Sequence, residues 1–329
     1  MNFRDFIKKL NTEDSRLYLI HGTNDYLKNE AIKRILKKNN VIKSDIDFDS
    51  FREKISEDDI ILACETLPFM SFKRIVLVYD FPALKTGKQS ADKLNDYIED
   101  ISLNSILIFY MIDKADKRKK IYKSIKKIGM EGEFGDLADS ELISWIVHEF
   151  GQNGKKAANN NARELLNVCG NNMMTLKAEI AKISSYSEKP EIEKEDILKA
   201  ASKSLEYNVF KVHDFLLKKD IKHAFALLKE IIESEKNPFG IMGLIASKFR
   251  LLYKGRAMLD AGYPSDKAIK LMGGHPYAAK IALLECKKFS AAELRADISK
   301  LAELDFWLKS GKADMSLAFE KVLMEIYKV

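Results

Sequence analysis

Three short apolar runs, at residues 17–20, 75–79 and 105–112, constrain this 329-residue chain more than any other feature. None alternates polar with apolar residues, and each is rich in Val, Ile, Leu, Phe and Tyr. Such runs belong to strands covered on both faces, as in a parallel sheet. Between them lie stretches with helical periodicity. Phe3, Phe6, Ile7 and Leu10 share one face, as do Leu27, Ala31, Ile32 and Ile35, and residues 60–64 suit a third amphipathic helix. Strands alternating with helices to about residue 138 predict an α/β domain with a mainly parallel sheet.

Beyond Gly135-Asp136-Leu137 no further strand is predicted. A first helix over 141–150 gathers Leu142, Trp145, Ile146 and His148. Another starts near 162, and one over 171–184 carries a core stripe of Leu176, Ile180 and Ile183, with Glu179 and Lys182 exposed beside it. A short helix over 193–202 completes a small unit. From residue 209 onward the periodicity predicts helices over 209–217, 221–234, 238–261, 266–272, 276–289, 291–308 and 315–327. Asn237-Pro238 marks one start, and Gly262-Tyr263-Pro264 and Gly273-Gly274-His275-Pro276 mark stops. The expected fold class is therefore α/β plus all-α: a parallel-sheet domain over 1–138, a small helical lid over 139–206 and a C-terminal helical domain over 207–329.

Composition narrows the class. With 46% hydrophobic and 32% charged residues and only 6 prolines, the chain reads as a well-folded, helix-rich soluble protein. An excess of 55 Lys and Arg over 49 Asp and Glu, +6, permits an acidic partner without requiring one. No apolar run approaches the roughly 18 residues of a membrane helix, and the N-terminus lacks a signal peptide's apolar core. Cys64, Cys169 and Cys286 stand far apart, which suits a reducing cytoplasm and excludes a four-cysteine zinc module.

The first strand, a glycine turn and a helix occupy the place where an NTPase carries its phosphate-binding loop. A working loop needs several glycines, a Lys for the β and γ charges and a Ser or Thr for Mg²⁺. Here Gly22 stands alone, Asn24 and Asp25 follow it, and Lys28 is the nearest cation. The strand over 75–79 ends in Asp80-Phe81, without the second acid expected of a hydrolytic site. The five histidines show no metal-ligand spacing, and His213 and His223 read as surface or capping residues. No catalytic residue, metal site or cofactor is predicted. A basic segment, Lys114 to Lys127, places Ile121, Ile125 and Ile128 on one helical face. Lys117, Arg118, Lys120 and Lys123 lie on the remainder, either a solvated surface or a nucleic-acid contact.

One stretch resists placement. Leu67, Phe69, Met70 and Phe72 lie on a short connection just before the second strand, and Pro68 keeps Leu67 extended. That is too many large apolar groups for an ordinary surface loop. Either they fold back onto the core, which general burial tendencies favour, or they are held out for a partner.

The residues also resemble a known family, the delta subunit of the bacterial DNA polymerase III clamp loader, over essentially the whole chain. The likeness rests on Tyr18-Leu19-Ile20-His21-Gly22 with Asp25-Tyr26-Leu27, on Leu67-Pro68-Phe69 before a strand, and on Asp113 to Lys120. It continues through Glu179-Ile180-Ala181-Lys182, Val209 to Asp214, Lys248-Phe249-Arg250, His275 to Lys280 and Leu304 to Lys309. It implies an AAA+-like first part that has lost ATP hydrolysis, a lid, and a collar joining the ATPase subunits (gamma/tau) and delta prime. The family opens the sliding clamp (beta subunit) with an apolar wedge, which by position is Leu67, Phe69 and Met70 here. Some relatives carry a Leu-Phe pair where this chain has Pro68-Phe69, leaving Leu67 and Met70 as alternatives for the second anchor. The resemblance further implies primer-template DNA as a partner within the complex, and a polymerase holoenzyme whose catalysis resides in other subunits. Delta prime carries a Ser-Arg-Cys triplet and a zinc module, both missing here. The rival classes are an active AAA+ ATPase, which the Gly22 turn disfavours, and a stand-alone helical DNA-binding protein resting on Lys114 to Lys127.

Overall fold

Fully apolar strands must find cover on both faces, and in the computed structural model of the chain they do. The structure describes residues 1–43, 45–52, 55–87, 89–234, 238–273, 276–311 and 315–328. It divides into two compact units, Met1–Leu142 and Ile143–Val329. Asn237, Gly274 and His275, read above as helix signals, lie outside the described residues.

The first unit runs α1 (Phe3–Thr12), β1 (Leu17–His21), α2 (Asp25–Lys38), β2 (Phe48–Phe51), α3 (Glu57–Glu65) and β3 (Arg74–Tyr79). It continues with α4 (Asp92–Tyr97), β4 (Ser105–Tyr110), α5 (Lys120–Ile128) and β5 (Met130–Glu133). The strands form one parallel sheet in the order β2-β3-β4-β1-β5, with Leu19 beside Phe109 on one side and Glu131 on the other. Strands β1 and β4 are buried throughout. Helix α1 starts at an Asn2 cap that accepts the Asp5 N–H, and it lays Phe6, Ile7 and Leu10 against the unit.

The parallel α/β architecture matches the expectation, and two strands add to it. Strands β2 (Phe-Asp-Ser-Phe) and β5 (Met-Glu-Gly-Glu) are the sheet edges and carry no apolar run to announce them. The basic segment is helical only from Lys120, so Lys117 and Arg118 sit on the connection before α5, and Ile128 is exposed rather than part of its buried face.

Strand β5 explains how an edge strand with two glutamates can be buried. Glu131 Oε1 lies 2.8 Å from His21 Nε2 and 3.1 Å from the Tyr122 hydroxyl, and Oε2 accepts the terminal amine of Met1 at 2.9 Å. His21 Nδ1 accepts the Ala115 N–H, so the network assigns the ring proton to Nε2, which donates to Glu131. Burial pushes the Glu131 carboxyl up, but His21 and the amine together outweigh it and hold it at about 2.

The second unit takes α6 (Asp139–Gln152) from its second turn onward, then β6 (Lys156–Ala157), α7 (Asn159–Cys169), α8 (Met173–Tyr186), β7 (Glu191–Ile192) and α9 (Lys194–Ala200). Strands β6 and β7 pair in parallel, a two-residue contact no sequence period could announce. Next come α10 (Leu205–Leu217), α11 (Ile221–Ser234), α12 (Pro238–Asp260), α13 (Ser265–Met272), α14 (Pro276–Glu285), α15 (Ala291–Lys309) and α16 (Met315–Tyr327). Ser204 caps α10 through the Tyr207 N–H, which sets its start four residues ahead of the expected one. The core runs from Val209 and Val212 through Phe249 and Leu252 to Leu301, Leu304, Phe319 and Leu323.

Three polar expectations are corrected. Glu179 is buried, not exposed, because it accepts the Ser202 N–H at 2.8 Å and pairs with Lys182. His213 is buried, not on the surface: Nδ1 meets the Tyr327 hydroxyl, and Nε2 lies 3.4 Å from Glu285, which Lys248 neutralises. His148 is exposed and Trp145 only partly buried, so α6 packs through Leu142, Ile143, Ile146 and Phe150 instead.

The depressed Glu131 carboxyl makes a prediction for acid stability. A group lowered in the folded state stabilises it above the unfolded carboxyl value of 4.5 and loses that contribution as pH falls toward about 2. Glu131→Gln is expected to lower stability at pH 7 by on the order of 2 kcal/mol and to flatten the loss between those pH values. Urea unfolding at several pH values measures both; an unchanged acid slope would refute the role.

Candidate functional site

Open parallel sheets bind ligands in the crevice beyond the carboxyl ends of their strands, and here that crevice is filled by the chain itself. Gly22 has φ +115°, and a Cβ there would stand 2.2 Å from the Phe134 carbonyl oxygen, so the turn passes directly against main chain. Three amides of the turn and the helix start are already engaged. Gly22 N–H donates to the Asp113 carbonyl, Asn24 N–H to the Phe134 carbonyl, and Leu27 N–H to the Asn24 side chain at 3.1 Å. Lys28 is fully buried. Its ammonium donates to the carbonyls of Met111 (3.0 Å) and Ile112, lies 2.9 Å from Asp25 and sits over the Tyr110 ring. This ammonium holds the Asp25 carboxyl below its ordinary value. At the end of β3, Asp80 is engaged by Lys85 and by the Ile112 N–H, while Phe81 is buried against Phe109.

The amino ends of the same strands look entirely different. Leu67, Phe69, Met70 and Phe72 are 69, 81, 81 and 88% exposed. They do not fold back onto the core, whose members Ile60, Cys64, Val76 and Val78 are fully buried without them. Ile46 and Leu103, flanking the amino ends of β2 and β4, are exposed as well. A cluster of this kind is rare on a protein surface without a partner.

The loop bearing these groups is fixed. Asp47 is fully buried just ahead of β2 and accepts three consecutive main-chain N–H groups, from Phe69 (2.6 Å), Met70 (2.7 Å) and Ser71 (2.6 Å). The donors hold its carboxyl below the ordinary value, the Phe69 N–H most strongly. Arg74 lies 3.9 Å from it and 2.7 Å from Asp49. Nothing in the sequence singled out Asp47, since an acid in a polar loop is ordinarily solvated.

The basic residues are dispersed among carboxylates. Lys117 pairs with Glu133 at 2.6 Å and Arg118 with Asp116 at 2.8 Å, Lys120 stands 3.9 Å from Asp92 and Asp96, and Lys123 is exposed on α5. All keep exposed side chains. His21, Glu131 and Glu133 approach one another closely enough to suggest a metal site. The proton on His21 Nε2 and the cations on both glutamates use the lone pairs a metal would need.

Comparison with known proteins fits this arrangement. The family model described as DNA polymerase III, delta subunit, matches residues 18–131, and that for the C-terminal domain of the same subunit matches 206–326. A Bacillus subtilis (strain 168) protein described as DNA polymerase III subunit delta is 26% identical over 95% of this chain and 93% of its own length. A probable DNA polymerase III subunit delta of Aquifex aeolicus (strain VF5) is 25% identical over 78% of this chain and 75% of its own. The solved structure of the Bacillus subtilis DNA clamp loader delta protein superposes with a TM-score of 0.69 at 26% identity, covering 99% of this chain and all of that one. The parallel-sheet unit thus has the fold of that clamp loader delta protein. Two family models matched in order, and a relative and a solved structure matched nearly end to end, place the chain in the DNA polymerase III delta subunit family.

Proposed function

We propose that this chain is the subunit that grips and opens the sliding clamp, using Leu67, Phe69 and Met70 as an apolar wedge. The observation that carries the reading is the exposure of these groups on a loop whose main chain is tied down. Phe69 is the central anchor, flanked by Leu67 on one side of Pro68 and Met70 on the other. Burying each such side chain in a partner contributes about 1.5–3 kcal/mol, so a few of them can dominate an interface. Opening is then a population shift: the chain binds the open ring better than the closed one, and no bond need be broken within this subunit.

On this reading ATP acts in the neighbouring gamma/tau subunits, and residues 207–329 form the collar that joins them and delta prime, with residues 139–206 as the lid. The chain itself hydrolyses nothing. That reading is supported by the buried Lys28 ammonium and by turn amides already donating to main chain. Exposed ion pairs are weak, so Lys117, Arg118, Lys120 and Lys123 are able to exchange carboxylates for primer-template phosphates within the assembled complex.

Two measurements test the proposal. Binding of the purified chain to its host's clamp is expected to weaken by about 3–6 kcal/mol in Leu67→Ser/Phe69→Ser, with circular dichroism unchanged; equal binding by both would remove the wedge. Millimolar Mg-ATP is expected to leave the thermal unfolding of the isolated chain where it is. A ligand bound to the folded state raises the midpoint by mass action, so a saturable rise would restore a nucleotide site.

A further inference from the structure

A fully buried carboxylate is costly unless its charge is met by donors or a counter-ion. Asp47 is met chiefly by the loop above it. Its two oxygens take the N–H groups of Phe69, Met70 and Ser71, and its main-chain carbonyl takes the N–H of Ile75 at 2.8 Å. One residue therefore ties both the tip of the loop and its return into β3. Successive N–H groups converge on a single anion only where the backbone turns sharply, as it does through the bends at 69–73, so the contact constrains the torsions that aim Phe69 and Met70. Neither of those side chains has core packing to hold it, since both point into solvent. The charge is confined from the other side as well. Arg74, the first residue of β3, pairs with Asp49 at 2.7 Å and stands 3.9 Å from Asp47.

We infer that Asp47 is a positioning residue for the apolar wedge, acting through the three amides to hold Phe69 and Met70 in the orientation a partner's pocket receives. The inference rests on the clamp reading. Without the latch, three amides turn to water and the loop samples conformers in which its apolar groups lie on their own surface. A partner that accepts only one of these binds more weakly in proportion to that conformer's share. With the latch, the ordering is complete before the encounter. Asn at this position keeps one carbonyl oxygen, but its amide hydrogens oppose the remaining donors.

The test is a comparison of clamp binding by the full-length chain, D47N, F69S and D47N/F69S, together with amide hydrogen exchange of the free wild-type chain. Protection of the Phe69, Met70 and Ser71 amides is expected in wild type, a result that needs no variant to fold; rapid exchange at all three would overturn the latch. D47N is expected to bind ten- to a hundredfold more weakly, and the loss is expected to be much smaller in the F69S background, because the latch then has only Met70 left to aim. Binding by D47N equal to wild type, or the same loss with and without Phe69, would reduce Asp47 to a structural residue and overturn the proposal while leaving the wedge intact. No binding by wild type would instead overturn the clamp reading, and the positioning role with it.

Discussion

Parallel strands covered on both faces can meet the outside only at their two ends, and this one constraint organises the first unit. Every strand points the same way, so the ends differ in kind: all carboxyl ends lie together, and all amino ends lie together. In nucleotide-binding relatives of the architecture the carboxyl end does the work. Here Lys28 occupies that end, pinned between two carbonyls and Asp25, and the turn at Gly22 presses against main chain. A cation that would neutralise phosphate has become an internal tie. The amino end carries the exposed apolar groups, and its own fixed charge, Asp47, lies beneath them.

How much of this could be read from residues alone follows from where the stabilising free energy comes from. Strands β1, β3 and β4 owe their burial to their own side chains, and the sequence shows them. Strand β5 owes its burial to neighbours, Glu131 to His21 and the terminal amine, and strand β2 is only half-buried, its Asp49 paired with Arg74. A single chain read in one dimension cannot reveal a partner 110 residues away. The C-terminal helices were legible to within a few residues because their apolar stripes and stops are local. For the same reason the degenerate turn at Gly22 was visible as a missing motif, while the route by which Lys28 fills the crevice was not.

The buried polar groups of the second unit obey the same logic. His213 reads as a surface residue because its helix has no polar pattern to place it. Tyr327, Glu285 and Lys248 converge on it from α16, α14 and α12. Burial pushes the His213 imidazole down, while the Glu285 carboxyl, raised by burial, is brought to about 2 by His213 and Lys248. Three helices distant in sequence thereby share one charge balance with α10. A shift of one relative to the others leaves a buried charge unmet, and such networks favour a single packing arrangement.

The tie beneath the apolar loop has a consequence for the free chain. A flexible loop can hide exposed phenylalanines against its own surface; one whose amides are held at 69, 70 and 71 cannot. Phe69 and Met70 therefore stay in water with Leu67 and Phe72 exposed beside them, a self-association hazard. The stiffness that favours capture of a partner is also a standing threat to solubility.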